Sequence, residues 1–168
     1  TWQDYFTNPD ELHIVDIAPV ARALEQEGLS VTIGDLSRAS VLAQLKEAPQ
    51  WDIILDDASH QWGHQVSCFN ALFDRVKPGG VYIIEDLHTS YGALREKFST
   101  PYHLGEGTGK PIDAAEFFSQ LALKKLGKGA DHPAMRADIW HELAQHIDLD
   151  QIEMITFIAE ACIIQKNT

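Results

Sequence analysis

The chain predicts an α/β fold: a doubly wound, mostly parallel sheet that ends in a C-terminal antiparallel hairpin. Three observations carry this. Short β-branched apolar runs alternate with helix-length amphipathic stretches between residues 12 and 84, and regular alternation of this kind builds βαβ units. The apolar runs 51–55 and 81–84 both close in acids, Asp56-Asp57 and Glu85-Asp86. Two final apolar runs, 152–157 and 161–164, are joined by a tight turn near Ala159-Glu160, which suits antiparallel neighbours.

Each element has a local reason. Leu12-His-Ile-Val-Asp16 reads as a buried strand closed by an acid. Pro19 suits a first helical turn, and Ala21 and Leu24 among Arg22, Glu25 and Glu27 give an amphipathic helix that stops at Gly28. Residues 29–33 form a second strand closed by Gly34-Asp35, and Ser37 is placed to cap a helix using Val41, Leu42 and Leu45. The third strand is 51–55. A helix over 63–76 follows, with Val66, Phe69, Leu72, Phe73 and Val76 on one face. Lys77-Pro-Gly-Gly80 reads as a turn into a fourth strand, 81–84. Residues 88–113 are polar and rich in glycine and proline, a lid-like loop with one helical turn around 93–98. Helices are expected at 114–125 and 138–146.

A length of 168 residues suits a single domain, 1–168, with a sizeable core. The net charge of −12 argues against nucleic acid or an anionic membrane as a partner. Cys68 and Cys162 are the two cysteines, without CxxC spacing. They read as buried thiols in a reducing, cytoplasmic setting. No apolar run reaches membrane-spanning length and no signal peptide is visible. The chain starts at Thr1 without Met, so a segment upstream is expected to be missing.

The chemistry gathers at the acidic strand ends. Two neighbouring parallel strands with one helix between them deliver Asp56-Asp57, His60 and Glu85-Asp86 to one edge, the edge where open α/β sheets bind ligands. Converging carboxylates repel one another unless a cation lies among them, and hard oxygen ligands suit magnesium or calcium. The bland alternative is a set of solvated acids that cap the next helix, but four acids at two adjacent ends exceed what capping needs. Side chains alternate along a strand, so Asp56 and Asp57 cannot face the same site. Asp56 is placed behind the metal ligands or near a bound cofactor. His60 adjoins the acids, and an imidazole is the side chain suited to general-base work near neutral pH. His64, one turn on, reads as structural. Asp16 and Asp35 close neighbouring strands, positions generic to doubly wound nucleotide folds. His88, Thr89 and Tyr91 either touch an acceptor or are ordinary loop residues. His103, His132, His141 and His146 show no ligand spacing, and Trp62 and Trp140 read as core or rim.

Asp56-Asp-Ala-Ser-His60, Lys77-Pro-Gly-Gly80, Ile84-Glu-Asp86 and Thr89-Ser-Tyr91, with Trp2, Tyr5-Phe6, Val15-Asp-Ile17 and Gly34-Asp35, resemble a known family. It is the metal-dependent, S-adenosylmethionine-dependent O-methyltransferases that act on macrolide-linked sugars in the mycinamicin and tylosin pathways. The resemblance runs from Thr1 to about Tyr91 and returns near Gln151. Ala58 and Leu36 depart from it, and so does the absence of the family's first strand and glycine-rich turn before Thr1. It implies a class I methyltransferase fold, with Asp57, Glu85 and Asp86 as Mg2+ ligands and His60 as the base. Asp16, Asp35 and Asp56 would attend the S-adenosylmethionine. The acceptor would be a hydroxyl of a sugar or other small molecule, and a homo-oligomer is compatible with the reading. Two rivals stay open: a metal-dependent hydrolase or hydroxylase similar to the cephalosporin-hydroxylase-like proteins, and a truncated, non-catalytic remnant.

Overall fold

The computed structural model describes residues 5–6, 11–99, 102–103, 111–130, 132–137 and 147–168. The chain divides into two compact units, Thr1–Val41 and Leu42–Thr168.

In the first unit, strands β1 (His13–Asp16) and β2 (Ser30–Ile33) pair in parallel, with His13 opposite Ser30 and Asp16 opposite Ile33. The ring of His13 meets Thr32 Oγ1 at 2.8 Å across the pair. The connecting helix, Pro19–Glu27, is 3-10 rather than α. It begins with Pro19 and stops where expected, at Gly28, whose φ of 84° is the left-handed cap that glycine adopts freely. The Gly28 N–H donates back to Glu25 O.

The second unit is built on a four-stranded sheet in the order β3-β4-β8-β7. β3 (Trp51–Asp56) and β4 (Val76–Ile84) are parallel, and the hairpin of β7 (Ile152–Phe157) and β8 (Cys162–Lys166) adds antiparallel to β4. The sheet is therefore mixed, with the terminal hairpin where it was expected. A further short pair, β5 (Tyr102–His103) with β6 (Pro111–Ile112), is antiparallel. The expected turn Lys77–Gly80 lies inside the span of β4: Trp51 faces Val76, yet Ile53 already faces Val81. The extra residues bulge out. Gly79 takes a φ of 77° and donates its N–H to Asn167 O. A Cβ on Gly80 would sit 2.5 Å from Asp52 O, so only glycine lets the two backbones approach this closely.

The helix Trp62–Leu72 connects β3 to β4 and continues as a 3-10 turn, Phe73–Arg75. The helix Ala114–Leu126 starts at Asp113, whose side chain accepts the Glu116 N–H, an acid-x-x-Glu start. Phe69 joins the layers. Its ring meets Tyr82 of β4 and Phe118 of the second helix edge-on, both at 5.3 Å. Phe69, Tyr82, Phe117 and Phe118 are fully buried, and edge-to-face rings of this kind add to the area they bury. Cys68 and Cys162 are buried and free, as their spacing suggested. Among the described residues, no helix is long and apolar enough to cross a membrane. The expected helix at 138–146 lies outside the described residues, as do Trp2, Trp140, His141 and His146.

Candidate functional site

The site arises where β3 and β4 end together. Asp56 pairs with Ile84, and the Glu85 N–H donates to Asp56 O at 3.0 Å. That bond carries the ladder one step past the strand, so Asp57 and Glu85-Asp86 leave the sheet at the same edge. Strand alternation then separates the two aspartates. Asp56 turns inward, 6% exposed, and accepts from Tyr82 Oη at 3.1 Å. Asp57 turns outward with 52% of its side chain exposed. Burial pushes the Asp56 carboxyl up from 3.8 to about 6, opposed by the Tyr82 hydroxyl and the Ala58 N–H.

His60 and Asp86 both hold left-handed backbone, with φ of 56° and 57°. Non-glycine residues rarely do so, and such strain gathers at functional sites. The two left-handed residues aim their side chains at each other. His60 Nε2 lies 3.0 Å from Asp57 Oδ1, and Nδ1 lies 3.1 Å from Asp86 Oδ2. A neutral imidazole can donate to only one of the two carboxylates. Glu85 stands beside them, its pKa raised by desolvation first and then by repulsion from Asp57 and Asp86. One ligand atom each from Asp57, His60 and Asp86 lies within 4.8 Å of the others. Two carboxylates and an imidazole this close suit a divalent cation, whereas Glu85, which feels the charge of both aspartates, enters neither candidate ligand group among the described residues. Asp86 also belongs to a second group, with His88 and Glu160.

The segment after Asp86 is fastened down. Thr89 is 1% exposed, and its hydroxyl donates to backbone carbonyls at His60 and Asp86, so it does not face an acceptor. Ser90 is buried too, and its hydroxyl accepts the Ala115 N–H. Tyr91 is 66% exposed and free to meet a ligand. Arg95, in the short helix Leu94–Lys97, ties Ser90 O and Asp113 Oδ2 together, with its guanidinium 4.9 Å from the Trp62 ring. Trp62 is core, as its pattern suggested. His64 bonds Ser59 Oγ at 2.7 Å and enters neither ligand group. The side chain of His103 lies outside the described residues, and His132 takes the N–H of Ala134.

In the first unit, Asp16 and Asp35 do the same local work. Each carboxylate accepts the N–H two residues on, Ala18 at 2.7 Å and Ser37 at 2.9 Å. These turns fix the chain as it leaves each strand. Ser37 is the donor in this turn, two residues before the helix Ala39–Lys46 begins. The bonds from Ser37 hold the Asp35 carboxyl below its usual value. Sequence reasoning passed over Gln65 and Tyr82. Gln65 is buried and donates from Nε2 to Glu85 O at 2.8 Å. Both residues fall on apolar helix or strand faces, and a polar group at such a position is the signal that could have found them.

No family model matches the chain. An 8-demethyl-8-alpha-L-rhamnosyl tetracenomycin-C 2'-O-methyltransferase of Streptomyces olivaceus is 40% identical over 91 residues, 54% of this chain and 24% of that protein. A demethylmacrocin O-methyltransferase of Streptomyces fradiae is 37% identical over 92 residues, 54% of this chain and 22% of its own length. The aligned segment thus spans about a quarter of these curated relatives. Among solved structures, the MycE methyltransferase of the mycinamycin biosynthetic pathway, in complex with Mg and SAH, superposes with a TM-score of 0.72. That match has 22% identity and covers 99% of this chain and 39% of the other. The fold is that of the MycE methyltransferase, and over about half its length the chain is similar in sequence to these two O-methyltransferases.

Proposed function

We propose that this protein transfers a methyl group from S-adenosylmethionine to a hydroxyl of a sugar or small polyol natural product, with the help of a divalent metal, Mg2+ first. The observation that carries the reading is the Asp57–His60–Asp86 cluster, with Glu85 beside it, at the shared end of two parallel strands. It occurs in a chain similar to sugar O-methyltransferases.

Asp57, Glu85 and Asp86 would hold the ion. Bound together, the two cofactors supply Lewis acidity at the acceptor hydroxyl and an electrophilic methyl group. His60 takes the hydroxyl proton at one ring nitrogen, while the carboxylate on the other nitrogen orients the ring and steadies the imidazolium. Much of the remaining rate comes from holding the reactants in line. Asp56, turned inward, supports the strand ends from behind. Asp16 and Asp35 keep further acceptor capacity for the ribose and adenine of the cofactor. In this reading 1–168 acts as one methyltransferase-like domain in the cytoplasm, with a small-molecule acceptor and no nucleic-acid or membrane partner.

The test is calorimetric titration of Mg2+ into wild type, Asp57→Asn and Glu85→Gln, followed by transfer of labelled methyl from S-adenosylmethionine to a rhamnosyl acceptor. Mg2+ should bind wild type and weaken by about an order of magnitude or more in either variant. His60→Ala should lower turnover roughly 10²–10⁴-fold. Equal Mg2+ binding by all three proteins, or turnover indifferent to His60, would overturn the proposal. A protein that binds Mg2+ but ignores S-adenosylmethionine fits the hydrolase or hydroxylase reading, or that of a non-catalytic remnant, instead.

A further inference from the structure

We infer that Thr89 is a positioning residue of the metal–imidazole site: its hydroxyl ties together the two left-handed residues that carry His60 and Asp86. The inference rests on the functional reading above for the meaning of the site, but its geometry stands independently.

Thr89 Oγ1 lies 2.8 Å from Asp86 O and 3.2 Å from His60 O. The first contact is local, three residues back, and the Thr89 N–H reaches the same carbonyl at 3.1 Å. The second crosses 29 positions of sequence, from the 3-10 turn Leu87–Ser90 after β4 to the loop after β3. One hydroxyl proton shared between two carbonyls is a three-centre bond. Both carbonyls belong to the strained residues whose side chains face each other across 3.1 Å. Left-handed backbone at a non-glycine residue persists only where the surroundings over-determine it. Thr89 is 1% exposed, so water cannot replace the bond once the hydroxyl is gone, and both carbonyls lose a buried donor. The loop at His60 is then free to relax toward an ordinary conformation. A rotation of one backbone dihedral would carry the imidazole off the line between Asp57 and Asp86. Thr89 touches none of the reacting groups; it acts through the backbone of two residues that do.

The experiment compares wild type with Thr89→Val, which keeps the shape and removes the hydroxyl, and Thr89→Ser, which keeps the hydroxyl and removes the methyl. Thr89→Ala replaces the valine variant should that one not fold. Two readouts are taken. The first is Mn2+ affinity by electron paramagnetic resonance. The second is the nitrogen-edited NMR signature of the His60 ring N–H held by a carboxylate, recorded without metal and assigned with His60→Asn. Thr89→Val should weaken Mn2+ binding by about 10-fold or more, the usual effect of removing a group that supports a ligand, and should abolish the held ring N–H. Thr89→Ser should stay within about twofold of wild type in both. A Thr89→Val protein that matches wild type in both readouts overturns the inference, and so does a serine variant as impaired as the valine variant. If wild type takes no Mn2+ while the ring signature still depends on the Thr89 hydroxyl, the metal reading fails and the positioning role stands.

Discussion

Asp56 offers a pH experiment whose sign and size follow from its surroundings. Its carboxyl is 6% exposed and is pushed from 3.8 to about 6 by desolvation. Below the unfolded value the group is protonated in both states and burial carries no charge penalty. Above about 6 the folded carboxylate is ionised and the penalty is fully present. Stability therefore falls as pH rises across this window, because the folded state binds the extra proton. Each pKa unit is worth about 1.4 kcal/mol, so the move from 3.8 to about 6 amounts to about 3 kcal/mol. Asp56→Asn keeps an oxygen for the Tyr82 hydroxyl and cannot ionise. The assay is urea unfolding of both proteins in chelator at half-unit steps from pH 4 to pH 7.5. The variant should gain on wild type by about 2.4 kcal/mol between the ends of the range, the remainder accruing below pH 4, with most of the gain between pH 4 and 6. A lost acceptor bond to the Ala58 N–H would displace the whole curve by a constant and leave its slope untouched. A difference that stays flat with pH would refute the reasoning, since the carboxyl would then be as well solvated folded as unfolded.

Two further outcomes follow from the same unit. Gly80→Ala forces a methyl to within 2.5 Å of Asp52 O and should destabilise the fold by about 1–3 kcal/mol, the usual range for overpacking; an unchanged urea midpoint would show that the β3–β4 approach is looser than drawn. Burial pushes the Cys68 thiol far up and the Cys162 thiol to about 12, so a disulfide reagent at pH 8 should label neither until urea unfolds the chain. Rapid labelling of the native protein would contradict the burial.

What could be read beforehand divides along physical lines. Strands closed by acids are written locally, in β-branched runs of four to six residues, and β1, β2, β3 and the hairpin lie where the runs lie. The opposed facing of Asp56 and Asp57 follows from strand alternation and holds. Gly28 marks a helix end by itself. The bulge at Lys77–Gly80 was read as a plain turn because its form depends on how closely β3 approaches, which no local pattern encodes. The helix after β1 reads as α-helical because Ala21 and Leu24 are three apart, a spacing that shares a face in both helix types. The sequence leaves Thr89 open between an acceptor contact and a loop residue, because nothing local says that His60 and Asp86 take left-handed backbone. The convergence of Asp57, His60 and Asp86 was legible because one parallel pair brings all three together, whereas Gln65 and Tyr82 act from behind and are recognised only by their partners.

The position of β8 sets when the site can be completed. β4 takes β3 on one side, a partner one helix away in sequence, and β8 on the other. Gln165 reaches Gly79 across 86 positions, and the Leu87 N–H, beside Asp86, donates to Glu160 O at 2.8 Å. Long-range closures of this kind are slow, because the loop entropy must be lost before the contact forms. On the ribosome β3 and β4 can emerge and pair while β8 is still unmade, leaving one edge of β4 bare and the turn at Asp86-Leu87 without its anchor. A nascent chain in that state exposes an apolar sheet edge that invites association. The residue that secures the acidic turn follows it in synthesis, Glu160 lying 73 positions after Leu87.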